Sequence, residues 1–411
     1  MESTASVSLE IDQSKRWQIL GLLAIAELLA MSLWFSVSAV VPALRAEWGL
    51  GESAAGWLTV AVQLGFVFGT LLSAILNLAD IVSARHLVAI TAFLGALTNA
   101  SFALFAHEAV LAIVLRFLTG VFLAGVYPPG MKVMASWFRR SRGLALGVLV
   151  GALTLGKASP YLINAIGSSN WRYNVLVVST LAAIGGLIVL LFVSDGPYGL
   201  TRAQFDWRQV LKIFRNRPVL LANFGYFGHM WELYAMWTWI PIMLRSSMAL
   251  SRKSAAWAEL GSFLVIGAGA AGAVLAGLIA DRVGRTMVTS WAMIISGTCC
   301  LIVGFLYGGD PILLLIVAGI WGASVVADSA QFSSCITEVG DPQYIGTTLT
   351  LQMCIGFMLT SVSIELIPRM VNLVTWRYAF AILAIGPALG VVSMLRLRQL
   401  PEALKIANGR R

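Results

Sequence analysis

The chain has 411 residues, of which 59% are hydrophobic and 11% charged, with a formal net charge of +9 and a mean hydropathy of +0.85. A soluble domain carries about a quarter charged residues, so the two or three water-soluble domains this length would otherwise suggest lack the charge to cover them. Lipid must replace that surface. The three His and the four Cys (Cys299, Cys300, Cys335, Cys354) exclude a zinc or disulfide framework, because all four Cys lie in apolar runs without paired-ligand spacing.

In chain order, residues 1–16 form a polar tail, too long before a first apolar run that is itself too long for a cleaved signal peptide. Apolar runs of the ~20 residues needed to cross a bilayer as helix then follow near 17–43, 54–76, 86–106, 109–130, 143–165 and 173–194. A polar stretch at 195–217 carries Asp206-Trp-Arg208 and Lys212, and its Phe205–Phe214 part suits a short amphipathic helix. A second set of runs lies near 218–244, 254–279, 287–308, 311–335, 345–368 and 374–396, before a tail at 397–411. The expected fold is an all-α polytopic membrane protein of twelve transmembrane helices. With the N-terminus inside, the inner segments hold 19 Lys and Arg against 7 outside, which places both termini in the cytoplasm. The basic excess then faces anionic lipid headgroups rather than nucleic acid.

The chain also repeats itself. Leu76-Asn-Leu-Ala-Asp80 after the second run recurs as Gly277-Leu-Ile-Ala-Asp281 after the eighth, and Gly120 with Gly319 and Gly156 with Gly356 keep nearly the same offset. Two bundles of six helices, 17–194 and 218–396, joined by the 195–217 linker, make a transporter layout with the substrate near the midplane between them.

These residues carry a family resemblance. Gly277-Leu-Ile-Ala-Asp-Arg-Val-Gly-Arg285 resembles the signature loop of the major facilitator superfamily. The first copy is degraded, with Leu76, Ile81 and Ser83 at the Gly, Arg and Gly positions, while Asp80 and Arg85 remain. Arg116-Phe-Leu-Thr-Gly120 is similar to the family's fourth-span element, and Gly147, Gly151, Gly156 and Pro160 partly match its fifth. The resemblance implies two pseudo-symmetric six-helix bundles, alternating access, and a conformational latch at Asp80, Arg85, Gly277, Asp281, Arg282, Gly284 and Arg285. Physically, Asp281 is expected to open the following helix, and Arg282 and Arg285 to close charge contacts between helix ends.

A charge at the centre of a span costs about 2.5–3.5 kcal/mol on insertion scales, so each is a functional candidate. Glu27 falls about 15 Å into the first run, with Trp34 on its face. Arg116 in the fourth span shares a face with Tyr127, and Lys157 lies well inside the fifth. His229 and Glu232, at i and i+3, project to one side of the seventh span. Asp328 shares a face with Gln331 in the tenth, and Gln352 adds an amide in the eleventh. Glu259 and Glu365, nearer the outer ends, are expected to reach the interface. A carboxylate in a cavity open alternately to either side can load and release a proton, which makes Glu27 and Glu232 coupling candidates with His229 as relay. Arg116 and Lys157 supply positive charge for an anionic substrate, although Arg116 can equally tether another helix's backbone or carboxylate, Glu27 included. Trp34, Tyr127, Tyr234, Trp237, Asp328, Gln331 and Gln352 complete the expected lining.

No Walker motif, metal cluster or nucleophile triad stands in the sequence, so neither enzyme chemistry nor a cofactor is expected. Gly261–Gly277 reads as close helix packing, and Asn99-Ala-Ser101 lies too deep in its run to be a glycosylation acceptor. The favoured function is a proton-coupled secondary transporter of a small organic or inorganic anion. Gly125-Val-Tyr-Pro-Pro-Gly130, Trp137-Phe138 and Arg142-Gly-Leu-Ala145 add to this, resembling anion-handling branches of the superfamily. A drug/proton antiporter exporting lipophilic compounds is the alternative, and a non-transporting sensor or assembly factor the third. The expected setting is a monomer in a bacterial inner membrane, with protons, a small molecule and lipids as partners.

Overall fold

The structure, a computed structural model, describes residues 13–138, 142–167, 170–198, 215–341 and 345–411. The expected amphipathic helix at 205–214 lies outside the described residues. Among the described residues there is no strand. Nine stretches among the described residues are long and apolar enough to cross a membrane, and the last of them, Ile345–Gln399, turns at Thr375, whose φ is 60°.

The first half comprises α1 (Gln13–Met31), α2 (Val41–Trp48), α3 (Glu52–Ile75), the short α4 (Leu78–Ile81), α5 (Ala84–Phe105), α6 (Ala109–Leu123), α7 (Tyr127–Trp137), α8 (Arg142–Ile166) and α9 (Trp171–Phe192). The second comprises α10 (Arg217–Leu250), α11 (Ala255–Val283), α12 (Arg285–Ile302), α13 (Pro311–Ala327), α14 (Ser329–Val339), α15 (Ile345–Ala379) and α16 (Ile385–Gln399). Each set packs on itself, and the two meet where α8 lies along α11 and α3 along α15.

Three expected spans are broken near mid-depth. Between α1 and α2 the hydroxyls of Ser32 and Ser36 bond back to the carbonyls of Leu29 and Leu33, and the backbone tightens to i→i−3 bonds at Leu33 and Trp34. Between α6 and α7 the tandem Pro128-Pro129 cannot donate to the preceding turn, so the helix restarts with proline in its first positions. Between α13 and α14 the joint is Asp328.

Close helix contacts repeat in the two halves. A Cβ on Gly65 would stand 2.0 Å from the Phe117 carbonyl oxygen and one on Gly120 2.1 Å from that of Val62. In the second half the same reciprocal contact joins Gly272 to Ala323, at 1.9 Å, and Gly322 to Val265, at 1.8 Å. The counterpart of Gly120 by contact is therefore Gly322, not Gly319, around which nothing lies within 4 Å. Spacing alone does not carry the helix rotation that decides this. Gly322→Ala is accordingly expected to destabilise by about 1–3 kcal/mol through overpacking, read as a lowered Tm in detergent. Gly319→Ala should leave Tm unchanged or raised, and equal effects would dismiss the contact.

The halves are sealed at one end by small residues. Gly143, Gly147 and Gly151 of α8 face Gly277, Ala273 and Ala270 of α11, close enough that a Cβ on Gly277 would stand 2.7 Å from the Gly143 carbonyl oxygen. At the opposite end a cavity of about 210 Å³ remains between the halves.

Candidate functional site

Between the sealed end and the cavity lies the aromatic centre of the molecule. Gly156 lets α8 press on α1, its Cβ position 2.3 Å from the Leu28 carbonyl oxygen. The next residue, Lys157, is thereby carried to the interface of the halves, buried at 2% exposure. Its ammonium lies 4.0 Å from the ring centre of Trp34 in the first half, and 4.6 and 5.1 Å from those of Tyr234 and Trp237 in the second. It also donates to the Tyr234 hydroxyl. Phe66 and Phe357 close the cage: Phe66 is 5.1 Å from Trp34 and 4.6 Å from Phe357, which is 5.1 Å from Tyr234. Ammonium over ring faces is favourable, about 2 kcal/mol when desolvated, so this cage is stable with Lys157 inside it.

Glu27 is the counter-charge. It is buried at 1% exposure, neither carboxylate oxygen has a hydrogen-bond partner among the described residues, and the cation acting on it is Lys157. Tyr127, at the start of α7, lies within its field. Glu27 and Lys157 therefore interact as charges through a gap rather than as a closed ion pair.

Arg116 is fully buried and tied to backbone. It donates to the carbonyls of Leu33 at 3.0 Å, Trp34 at 2.5 Å and Leu58 at 3.4 Å, and to Ser36 and to Asn99 at 3.3 and 3.2 Å. Two of those carbonyls are ones the broken first span leaves without helical partners. Asn99, which also bonds Ser36 and Ser179, stands in the sequence only as part of Asn99-Ala-Ser101, an acceptor pattern set aside for its depth in the third run.

The second half holds a separate polar layer. Glu232 accepts from Trp321 at 2.5 Å, Ser296 at 2.9 Å and Cys300 at 3.0 Å, so it points into α12 and α13 and away from Tyr234 and Trp237. Three donors satisfy the carboxylate in place. His229 does face the same way, as the i, i+3 spacing implies, but takes different partners: Nδ1 is 2.8 Å from Asp328 and Nε2 3.0 Å from Ser329. Gln331 accepts from Arg285 at 2.8 Å and Gln352 from Ser333 at 3.3 Å. None of these four contacts reaches Lys157. Glu259, expected at the interface, is instead buried and held by Arg245 at 2.9 Å, since a nearby cation makes burial cheaper than reaching water. Glu365 is half-buried against Gly56 of the opposite half.

The signature loop differs in one respect from expectation. Asp281 does not open a helix; it lies in the last turn of α11, and the chain turns at Gly284, φ 106°, before α12. A carboxylate there opposes the helix dipole, and Arg285 offsets it at 3.2 Å. Arg285 also clasps both oxygens of Glu338 at 2.9 to 3.1 Å, a partner the sequence alone did not single out. Gly277 lies on Gly143 of the other half, Arg282 offers its carbonyl to Arg410, and Gly284 lies under the backbone of Arg411. In the first copy Arg85 reaches the carbonyl of Val193 at 3.3 Å and Asp195 at 3.7 Å; the side chain of Asp80 lies outside the described residues.

The Major Facilitator Superfamily profile matches residues 23–364. A probable sulfoacetate transporter of Cupriavidus necator is 23% identical over 292 residues, 65% of this chain and 65% of that protein. A gallate transporter of Pseudomonas putida is 24% identical over 332 residues, 71% of each, and a probable L-galactonate transporter of Escherichia coli is 24% identical over 265 residues, 60% of this chain and 57% of that one. Two of these matches, that to the Cupriavidus protein included, span less than two thirds of the relative's length. Among solved structures, the proton:xylose symporter XylE superposes with a TM-score of 0.74 at 14% identity, over 94% of this chain and 96% of that one. At that identity the likeness is one of fold.

Proposed function

The chain belongs to the major facilitator superfamily, and from that premise we propose that it is a secondary active transporter that carries a small organic anion together with a proton by alternating access. The observation that carries this reading is Lys157, a buried ammonium at the interface of the halves whose single charge partner is an unbonded carboxylate, Glu27. With Glu27 ionised, the two neutralise each other. With Glu27 protonated, the ammonium is left to an anion. Proton and anion then favour each other's binding, and linkage makes the effect reciprocal. That is the logic of symport, and it would drive uptake where the proton gradient points inward.

Relatives named for sulfoacetate, gallate and L-galactonate support the anion class. The 19 to 7 distribution of Lys and Arg supports an orientation with the sealed end and both termini in the cytoplasm. The exporter alternative rests on an aromatic cage suited to lipophilic cations, and here Lys157 already fills that cage. Arg116 acts as the fixed support of the site, and Glu232 as a fastening of α10 to α12 and α13. The His229–Asp328 pair is a relay held apart from the anion.

The test is uptake into proteoliposomes with an inside-alkaline gradient, using labelled gallate against tetraphenylphosphonium. Gallate should accumulate and the phosphonium should not. Glu27→Gln should still bind gallate yet lose at least 10-fold of the gradient-driven accumulation. If Glu27→Gln accumulated gallate like the unsubstituted protein, or only the phosphonium moved, the coupling scheme would be wrong.

A further inference from the structure

The cavity of about 210 Å³ at the α2 end is not part of the Lys157 site, and its chemistry is specific. It lies between the halves, walled by α2 and α3 on one side and by α10 and α15 on the other. Thr238 and Trp239 in its wall follow Trp237 directly in the chain, so the cavity stands next to the cage along α10.

Most of its polar lining is already engaged. Ser38 and Thr59 share a hydrogen bond at 2.8 Å, Thr238 donates to the Tyr234 carbonyl, and Ser246 bonds the Tyr307 hydroxyl at 2.6 Å. Three side chains in the wall have no such partner among the described residues: Arg45 from the first half, and Asn372 and the Trp376 indole from the second. Arg45 is also the one charged group among the lining residues. Its neighbours at this end are spent: Glu47, on the same helix, pairs with Arg172 at 2.8 Å and accepts from Trp171 at 2.6 Å. The Arg172 bond, more than any other contact, holds the Glu47 carboxyl below the usual carboxylate range, so Glu47 is ionised and neutralised by Arg172, not by Arg45. Arg245 is likewise taken by Glu259. Glu365, one turn before Pro368 on α15, is not a lining residue, but its Oε1 stands 3.0 Å from the Cβ position of Gly56 at the edge of the cavity.

We infer that this cavity is a second anion-binding site, a vestibule in which a small carboxylate or sulfonate is held by the Arg45 guanidinium and the Asn372 amide before it reaches Lys157. A planar guanidinium grips a carboxylate through two parallel N–H donors, and an amide from the opposite wall adds a third donor. The volume is below the roughly 300–1,000 Å³ of sites for drug-sized ligands, which restricts the occupant to a small anion. A cleft of one sign between low-dielectric walls also concentrates its counter-ion by a factor of 10 or more. Because donors come from both halves, an anion here bridges them, and the vestibule holds its occupant only while the halves keep this spacing.

The inference deepens the anion reading above, and its test does not use transport. In the full chain, Ser38→Cys and Ser246→Cys place single thiols on opposite walls, while the four native cysteines are at most 4% exposed. Each is reacted with sulfonatoethyl methanethiosulfonate and with the trimethylammonioethyl reagent, every rate being divided by that of a free thiol. The sulfonate should react about 10-fold faster, benzoate should protect, Arg45→Gln should bring the ratio near unity, and Arg45→Lys should keep it. Asn372→Ala should weaken the protection by benzoate while leaving the ratio. Equal rates with Arg45 present, a ratio that survives Arg45→Gln, or thiols that neither reagent reaches would overturn the vestibule. A preference for sulfonate alongside failure of gallate uptake would keep the vestibule and discard the transport reading.

Discussion

Lys157→Met is expected to lower affinity for gallate by about 100-fold, the scale set by truncating one partner of a buried charge pair. Methionine keeps the length of the side chain and its fit among Trp34, Tyr234 and Trp237 while removing the ammonium. Stability should fall much less than affinity, because the ammonium, at 2% exposure, is itself costly to bury and methionine replaces it with apolar packing, which offsets part of the cost of leaving Glu27 unpaired. The charge left behind is Glu27, which has no hydrogen-bond donor of its own. Adding Glu27→Gln to Lys157→Met should therefore raise Tm above that of the single variant without restoring gallate binding. Tryptophan fluorescence titration reads the affinity, since Trp34 and Trp237 both border the ammonium. Wild-type affinity in Lys157→Met would remove this residue from the anion site.

Why Lys157 was legible in the sequence, and much of its setting was not, follows from the solvent. A bilayer demands long apolar runs and penalises every charge within them, so the runs and the buried Glu27, Arg116, Lys157, His229, Glu232 and Asp328 stand out by composition alone. What a charge does there depends on neighbours far away in the chain. Glu232 lies two residues from Tyr234, yet its donors Ser296, Cys300 and Trp321 come from other helices and turn it away from the cage. Phe66 and Phe357 finish the cage, and as single aromatic residues in apolar runs they carry no signal of their own. The breaks at Ser32–Ser36 and Asp328 likewise need tertiary partners to be tolerated in lipid. At Tyr127-Pro-Pro129 the cause of the break lies in the chain itself, the missing proline N–H, although the hydropathy of 109–130 reads as one continuous run. The offset near 200 positions located the repeat, but the register of its glycine contacts required helix rotation, which no spacing in the sequence encodes.

Arg116 distinguishes a charge that binds from a charge that builds. As a binding group it would act through its positive charge, and Arg116→Lys would retain part of the gallate affinity. As a tether it acts through the reach of a planar fork, holding Leu33, Trp34, Leu58, Ser36 and Asn99 at once. A lysine ammonium is a point donor and cannot span those acceptors. A buried carbonyl left unpaired costs about 1–3 kcal/mol; the Trp34 carbonyl would lose its donor, while Leu33 keeps the Ser36 hydroxyl and Leu58 its place inside α3, so both Arg116→Ala and Arg116→Lys are expected to destabilise by about 1–3 kcal/mol. The loss reaches the anion site through Trp34, whose carbonyl Arg116 holds and whose ring lies 4.0 Å from Lys157. Affinity per folded molecule should thus fall in both variants, together with Tm. The decisive comparison is Arg116→Lys against Lys157→Met. The first should lose stability and binding in step, whereas the second should lose far more binding than stability. Retention of wild-type Tm by Arg116→Lys would mean that the broken first span is held by something other than this guanidinium. Arg116 would then return to the list of groups available to the substrate.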